Sequence, residues 1–271
     1  AFKIEPGPAM ERIIGEASPG RQTTDVVDSP ISYTPLLMNR DLVVSYPFDK
    51  EFAVPPDDLL FGKRAIHSYN LDVPICFNTE LAKASDFAGG WESIADPKWR
   101  GRFLLEARGI VFPLLALAWG EERAYGLLQK LLDNKPIIIK GGTPTIEALA
   151  GGQGAVAIGT YGGRVLQYQK DGAPVDWARV GPIPAMIYSQ MVVKGAPHPN
   201  AALLWAYWTG TADHLEELYK HHYFGRLRGP TISPLGRMMQ EAKAEIVFET
   251  TDAAEMQRLL AKAGQMIGGL K

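Results

Sequence analysis

The sequence predicts an α/β protein whose sheets are mainly parallel. Strand-like and helix-like segments alternate along nearly the whole chain. Of 271 residues, 46% are hydrophobic and 21% charged, which gives apolar side chains enough for a substantial core and rules out a disordered chain. At roughly 150 residues per domain, the length suits two domains or one large one.

The first residues, Phe2–Ile4, read as a short strand. Pro8–Ala17 follows as a helix with Met10, Ile13, Ile14 and Ala17 on one face, closed by Ser18-Pro19-Gly20. Thr24–Val27 is a short strand ending at Asp28-Ser29-Pro30, Lys63–Asn70 and Val73–Asn78 are strands, and Thr79–Phe87 is a short helix. Arg102–Glu106 is a strand that leads through Arg108-Gly109 into an apolar helix ending at Trp119. Tyr125, Leu128, Leu131 and Leu132 give Glu121–Asp133 helical spacing. Pro136–Lys140 reads as a buried strand before Gly141-Gly142-Thr143-Pro144, where Thr143 is placed as N-cap and Pro144 as the first helical residue. Ala155–Ile158 is a strand, Tyr161–Lys170 a helix, and Val175–Val180 and Ile187–Lys194 are strands. From Pro199 the pattern turns helical, over Asn200–Trp208, Asp213–His222, Leu235–Ala244 and Ala253–Met266.

Lys plus Arg number 28 against 30 Asp plus Glu, a net charge of −2, which lacks the basic excess of a nucleic-acid binder. Cys76 stands alone and excludes an intramolecular disulfide or a cysteine-based zinc site. The longest apolar run, Ile110–Trp119, contains Pro113 and falls short of the ~18 residues that span a bilayer. No secretory leader is visible at the start. Phosphate-loop, dinucleotide, nucleophile-elbow and zincin motifs are absent. Adjacent His221 and His222 point to different sides of a helix and suit its C-terminus better than a shared metal. No cofactor, metal or catalytic constellation is expected.

A junction of strand, small-residue turn and helix recurs at Asp28–Tyr33, Ala107–Gly109, Gly141–Thr143 and Gly159–Tyr161. Each helix N-terminus offers unpaired N–H groups and partial positive charge, so several together suit an anionic group.

Trp91-Glu92-Ser93-Ile94-Ala95-Asp96-Pro97-Lys98-Trp99-Arg100-Gly101-Arg102 resembles the W-x-DL-x-DPKWKGR segment of bacterial periplasmic solute-binding proteins of ABC importers, in the branch with ferric-ion, polyamine and phosphonate binders. Gly141–Gly159 (GGTPTIEALAGGQGAVAIG) is similar to the family's helix and turn before a ligand-facing strand. Lys194–Ala202 resembles its KGAPHPEAA turn, and Tyr223–Pro230 stands where the family carries a YP-x-R loop. In consistent order, the resemblance covers about Asp25–Pro230.

The resemblance implies a two-lobed periplasmic-binding-protein fold with a hinge: residues 1–76 and 188–271 in the first lobe, 77–187 in the second. It also implies that the family's first strand and helix are missing here. The implied role is capture of a small-molecule solute in an interlobe cleft, without catalysis, for the membrane permease of an ABC importer. The protein would be a periplasmic monomer, or extracellular and membrane-tethered in a Gram-positive host, with no nucleic-acid partner. Ferric binders carry adjacent tyrosines where this chain has Tyr161 alone, next to Gly162. The turns also offer Arg108, Arg164, Arg226 and Arg228, and arginine forks suit carboxylate or phosphonate. An organic anion is therefore the expected ligand, with ferric-ion binding, polyamine binding, or a sensing or enzymatic relative as alternatives. The expected contacts are Ser29, Ser32, Tyr33, Arg108, Gly109, Gly142, Thr143, Thr160, Tyr161, Arg164, Met186, Tyr223 and Arg228.

Overall fold

Residues 6–17, 21–229 and 232–269 are described by the computed structural model. The strand expected at Phe2–Ile4, the turn at Ser18-Pro19-Gly20 and Pro230 lie outside them. The chain begins with α1 (Pro6–Glu16), β1 (Val26–Pro30), α2 (Thr34–Met38), α3 (Phe48–Glu51), β2 (Leu59–Leu60), β3 (Ala65–Asp72) and β4 (Cys76–Asn78). It continues through β5 (Phe103–Glu106), α4 (Val111–Trp119), α5 (Glu121–Asp133), β6 (Ile137–Ile139), α6 (Gly142–Ala150), β7 (Val156–Ile158), α7 (Gly162–Lys170) and β8 (Val175–Trp177). Last come β9 (Ile183–Val192), α8 (Pro199–Thr209), α9 (Ala212–His222), α10 (Pro234–Glu241), β10 (Ile246–Phe248) and α11 (Ala253–Gly268). No helix among the described residues is long and apolar enough to cross a membrane.

The chain divides into two compact units. Unit 1 takes the described residues of Ala1–Asn70, Met186–Ser233 and Thr250–Ala253. Its strands run in the order β1-β9-β3-β2, with β1 antiparallel to β9 and β2 antiparallel to β3. Alternate side chains feed opposite faces of this sheet. Val27, Ala65 and Met191 pack with Met10 and Ile13 of α1 and Leu37 of α2. Their neighbours Ile66 and Val192 pack instead with Phe48 of α3 and Ala202 and Ala206 of α8.

Unit 2 takes Leu71–Ala185, Pro234–Glu249 and the described residues of Ala254–Lys271. Its main sheet runs β6-β5-β7-β4-β8, with β5 parallel to both β6 and β7. Parallel pairing is thus confined to part of the molecule, since β4 runs antiparallel to β7 and β8. The tryptophan-rich segment is a chain of short 3-10 turns. Phe87 stacks on Trp99 at 5.9 Å, the Trp91 indole N–H donates to the Pro182 carbonyl at 2.7 Å, and the Asp96 carboxylate accepts from the Lys98 N–H at 2.9 Å.

Several expectations change. Thr79–Phe87 forms no α-helix, because the Asn78 side chain accepts the Glu80 N–H at 2.9 Å and turns the chain; only Ala84–Phe87 coils, as a 3-10 turn. β6 is an edge strand, which leaves Ile137 and Ile138 each 38% exposed where a buried strand was expected. Gly141, not Thr143, is the N-cap of α6, and Thr143 lies inside the first turn. The C-terminal segment groups with unit 2, where the resemblance placed it in the first lobe. The reason is the buried stripe Met256, Leu259, Ala263 and Ile267 along α11. The Tyr125 hydroxyl donates to the Leu259 carbonyl at 2.8 Å, and Arg258 and Lys262 pair with Glu121 at 2.6 and 2.8 Å.

Gly109 meets the end of this helix. Its φ is +61°, and a Cβ there would lie 2.6 Å from Ile267 Cδ1. Gly109→Ala is expected to destabilise the protein by about 1–3 kcal/mol through backbone strain, plus a steric part that Ile267→Ala relieves. Urea unfolding of the two single variants and the double variant measures both parts; additive losses would show that the glycine and the helix do not compete for space.

Candidate functional site

In unit 2 three strand-to-helix turns meet at the carboxyl ends of β5, β6 and β7. That edge of a parallel sheet is where α/β proteins place ligands, because helix N-termini and irregular backbone gather there. The turns are fastened to the buried carboxylate of Glu106, the last residue of β5. Its Oε1 accepts from Arg108 Nε at 2.9 Å and from the Gly141 N–H at 3.3 Å. Its Oε2 accepts the Arg108 N–H at 3.1 Å. Gly159, with φ of +96°, lies directly against Glu106 Cβ, so no side chain fits at that position. Gly142 closes the group: a Cβ there would be 3.0 Å from the Gly159 carbonyl oxygen and 3.1 Å from the Tyr161 ring.

A second acid lies beside the third turn. Asp72 ends β3, and its Oδ2 accepts the N–H of Gly162, the first residue of α7, at 3.1 Å. It acts as a cap borrowed from another strand, since Tyr161 at the N-cap position makes no side-chain cap. Asp72 Oδ1 and the Thr160 hydroxyl are buried without a hydrogen-bond partner. Burial raises the Asp72 carboxyl to about 7, against the smaller lowering effect of backbone N–H groups including that of Gly162.

Of the expected contacts, Arg108, Gly109, Gly142, Thr143, Thr160, Tyr161 and Arg164 belong to unit 2. Gly142, Thr143, Thr160 and Tyr161 fall within the two turns just described. Arg108 is ion-paired with Glu106 while its side chain remains 40% exposed, and Arg164 Nη1 donates to Gln167 Oε1 at 2.6 Å. Gly109 is buried, with Ile267, Ala263 and Phe112 against it.

Ser29, Ser32, Tyr33, Met186, Tyr223 and Arg228 belong to unit 1. Ser29, Ser32 and Met186 are buried. Tyr33 is half-buried, and its ring packs on the apolar cluster around Met10 and Leu37. Tyr223 ends α9 in left-handed backbone with its ring against Tyr219 at 5.3 Å. Arg228 is exposed. Arg226, expected on a ligand-facing turn, is buried: it pairs with Asp58 at 2.5 Å and donates to the carbonyls of His67 and Ser68 at 2.5 and 3.4 Å.

Sequence reading missed Asp72 and Glu106. An acid closing an apolar run, as in Phe103-Leu104-Leu105-Glu106, was the available signal for Glu106.

Because the folded protein holds a proton on Asp72 that the unfolded chain has lost above about pH 4, the associated stability is fully present below that pH and is lost as pH rises through about 7. Asp72→Asn keeps an acceptor for the Gly162 N–H and has no charge to desolvate. Its stability relative to wild type is expected to rise by a few kcal/mol between pH 4.5 and 8, one pKa unit being worth about 1.4 kcal/mol. Urea unfolding at both pH values tests this, and a pH-independent difference would contradict it.

No protein-family model and no curated protein matches the chain. Solved structures do. An ABC transporter substrate-binding protein from Bradyrhizobium japonicum superposes with a TM-score of 0.77 at 17% identity, over 97% of this chain and 88% of that one. Iron-bound HitA from Pseudomonas aeruginosa gives 0.76 at 16%, over 97% and 89%. The periplasmic binding protein AfuA from Actinobacillus pleuropneumoniae, with fructose-6-phosphate bound, gives 0.74 at 18%, over 98% and 89%. The chain has the fold of the periplasmic substrate-binding proteins of ABC transporters.

Proposed function

We propose that this protein captures a small organic anion, of carboxylate or phosphonate type, and delivers it to the membrane permease of an ABC importer, outside the cytoplasmic membrane and without catalysing a reaction. The observation that carries the reading is the convergence of three turns on Glu106, two of them opening helices α6 and α7. The α6 terminus has no side-chain cap, and Gly142 brings bare backbone to its first turn. Thr143, Thr160 and Tyr161 add hydroxyl groups of graded burial, and Arg108 and Arg164 add positive charge.

The charge balance favours a ligand of low charge. Glu106 already engages Arg108, so the local excess of positive charge is small. Proteins of this fold have been solved with iron and citrate and with fructose-6-phosphate, and one is a GABA receptor; carboxylate or phosphate groups recur among those ligands. The groups of the site also lack a nucleophile paired with a base, which supports binding over catalysis.

Calorimetric titration with a panel of carboxylates and phosphonates tests the reading. Arg108→Ala or Arg164→Ala is expected to weaken anion binding by roughly ten- to a hundredfold, the equivalent of about 1.5–3 kcal/mol for a hydrogen bond to a charged group. Arg→Lys recovers only part, because an ammonium lacks the planar fork. Anion binding unchanged in both alanine variants would refute the assignment.

A further inference from the structure

Two buried acids, Glu106 and Asp72, stand among the turns of unit 2, each 1% exposed. Glu106 accepts from two backbone N–H groups and a guanidinium. Asp72 accepts the Gly162 N–H on Oδ2, while Oδ1 takes no hydrogen bond. The Thr160 hydroxyl, on the turn before α7, is buried without a partner and donates nothing to Asp72. Gly162 has no room for a Cβ against Asp72 Oδ2, so the carboxyl rests directly on the start of α7.

The elements packed around Asp72 bring it no compensating positive charge. β9, whose Pro184 carbonyl accepts the Val73 N–H at 2.8 Å, has no charged residue from Ile183 to Val192. From β4 the Cys76 thiol faces Asp72; burial, with the Asp72 and Asp176 charges adding to it, pushes that thiol far up and keeps it neutral. Asp176 of β8 pairs with Arg179. In α7 no acid occupies the first turn, Arg164 donates to Gln167, and the Tyr161 ring at the N-cap lies on Gly142. Burial accordingly raises the Asp72 carboxyl to about 7. Below that pH the carboxyl is neutral, and the α7 terminus keeps its partial positive charge for a ligand. Above it, the ionised carboxylate engages that charge itself.

We propose that Asp72 is a positioning residue that couples anion capture to a proton: solute and ionised Asp72 compete for the positive end of α7, so the anion binds with uptake of a proton on Oδ1. The inference rests on the anion reading above and adds a proton to the same site. Two like charges at one helix terminus disfavour each other, and the carboxylate with an unmatched buried oxygen is the one that accepts the proton. Below about pH 7 the proton is already in place, and affinity does not depend on Asp72. Above it, binding must recruit the proton, and affinity falls by up to about tenfold per pH unit.

The test is calorimetric titration of wild type, Asp72→Asn and Asp72→Ser with the panel of carboxylates and phosphonates, at three pH values from about 6 to 8.5. Circular dichroism confirms which variants are folded. The ligand's own titration is common to all three proteins and cancels in the comparison. From the lowest to the highest pH, wild-type affinity is expected to fall roughly tenfold or more relative to either variant, since neither can ionise at position 72. Wild type alone supplies a second measurement. With a carboxylate, which stays ionised throughout this range, buffers of different ionisation enthalpy should register proton uptake near pH 7.5 that the variants lack. Anion binding with equal pH dependence in wild type and the folded variants, or without proton uptake in wild type, would overturn the coupling and leave the anion reading standing. Failure of every carboxylate and phosphonate to bind wild type at any of these pH values would refute the anion reading, and the coupling with it.

Discussion

The Glu106 carboxylate, taken almost wholly out of water at the end of β5, has to be met by donors, and the turns that follow β5 and β6 supply them. An unmatched buried carboxylate costs several kcal/mol, so the Gly141 N–H and the Arg108 backbone and guanidinium are held where they are by that penalty. The third turn is held by shape, because Gly159 has no room for a side chain against Glu106. Each turn in this part of unit 2 is thus set with reference to one side chain. A helix start fixed in this way presents its N–H groups in a constant direction.

Unit 1 fastens its chain by a different device. Asn70 joins three segments: its N–H donates to the Gly225 carbonyl at 3.0 Å, its Oδ1 accepts the Leu227 N–H at 3.0 Å, and its Nδ2 donates to the Met186 carbonyl at 3.3 Å. Arg226, between the two bonded backbone positions, is buried against Asp58 and the carbonyls of β3. His67 stays neutral beside it, its pKa lowered to about 4 chiefly by burial. These bonds keep the 224–227 segment on β3, and so keep Phe224 next to Tyr69. A buried arginine here fastens backbone to backbone, a task for which its planar fork of donors is suited.

Local signals carried much of the fold. The run Ile137-Ile138-Ile139 followed by Gly141-Gly142-Thr143-Pro144 marks a strand, a tight turn and a helix start without knowledge of anything distant. The amphipathic stretch Glu121–Asp133 is legible for the same reason. The acids of the site were not. Asp72 and Gly162 are 90 positions apart, and Glu106 and Gly141 35 apart, so nothing in the neighbourhood of either acid announces its partner. Arginines were misread in the opposite sense: Arg226 sits in a loop-like sequence, yet its burial is decided by Asp58 far upstream. The placement of α11 failed for a related reason. Its apolar stripe says that the helix is covered, and only Gly109 and Tyr125 say by what.

That stripe bears on the order in which the polypeptide acquires its structure during synthesis. Tyr125 and Gly109 emerge from the ribosome well over a hundred residues before Leu259 and Ile267, which cover them. Unit 1 likewise waits for β9 to pair with β1 and for Arg226 to meet Asp58. Each unit joins segments far apart in the chain, and long-range closures of this kind are slow. Unit 2 therefore stays incompletely packed until α11 is made.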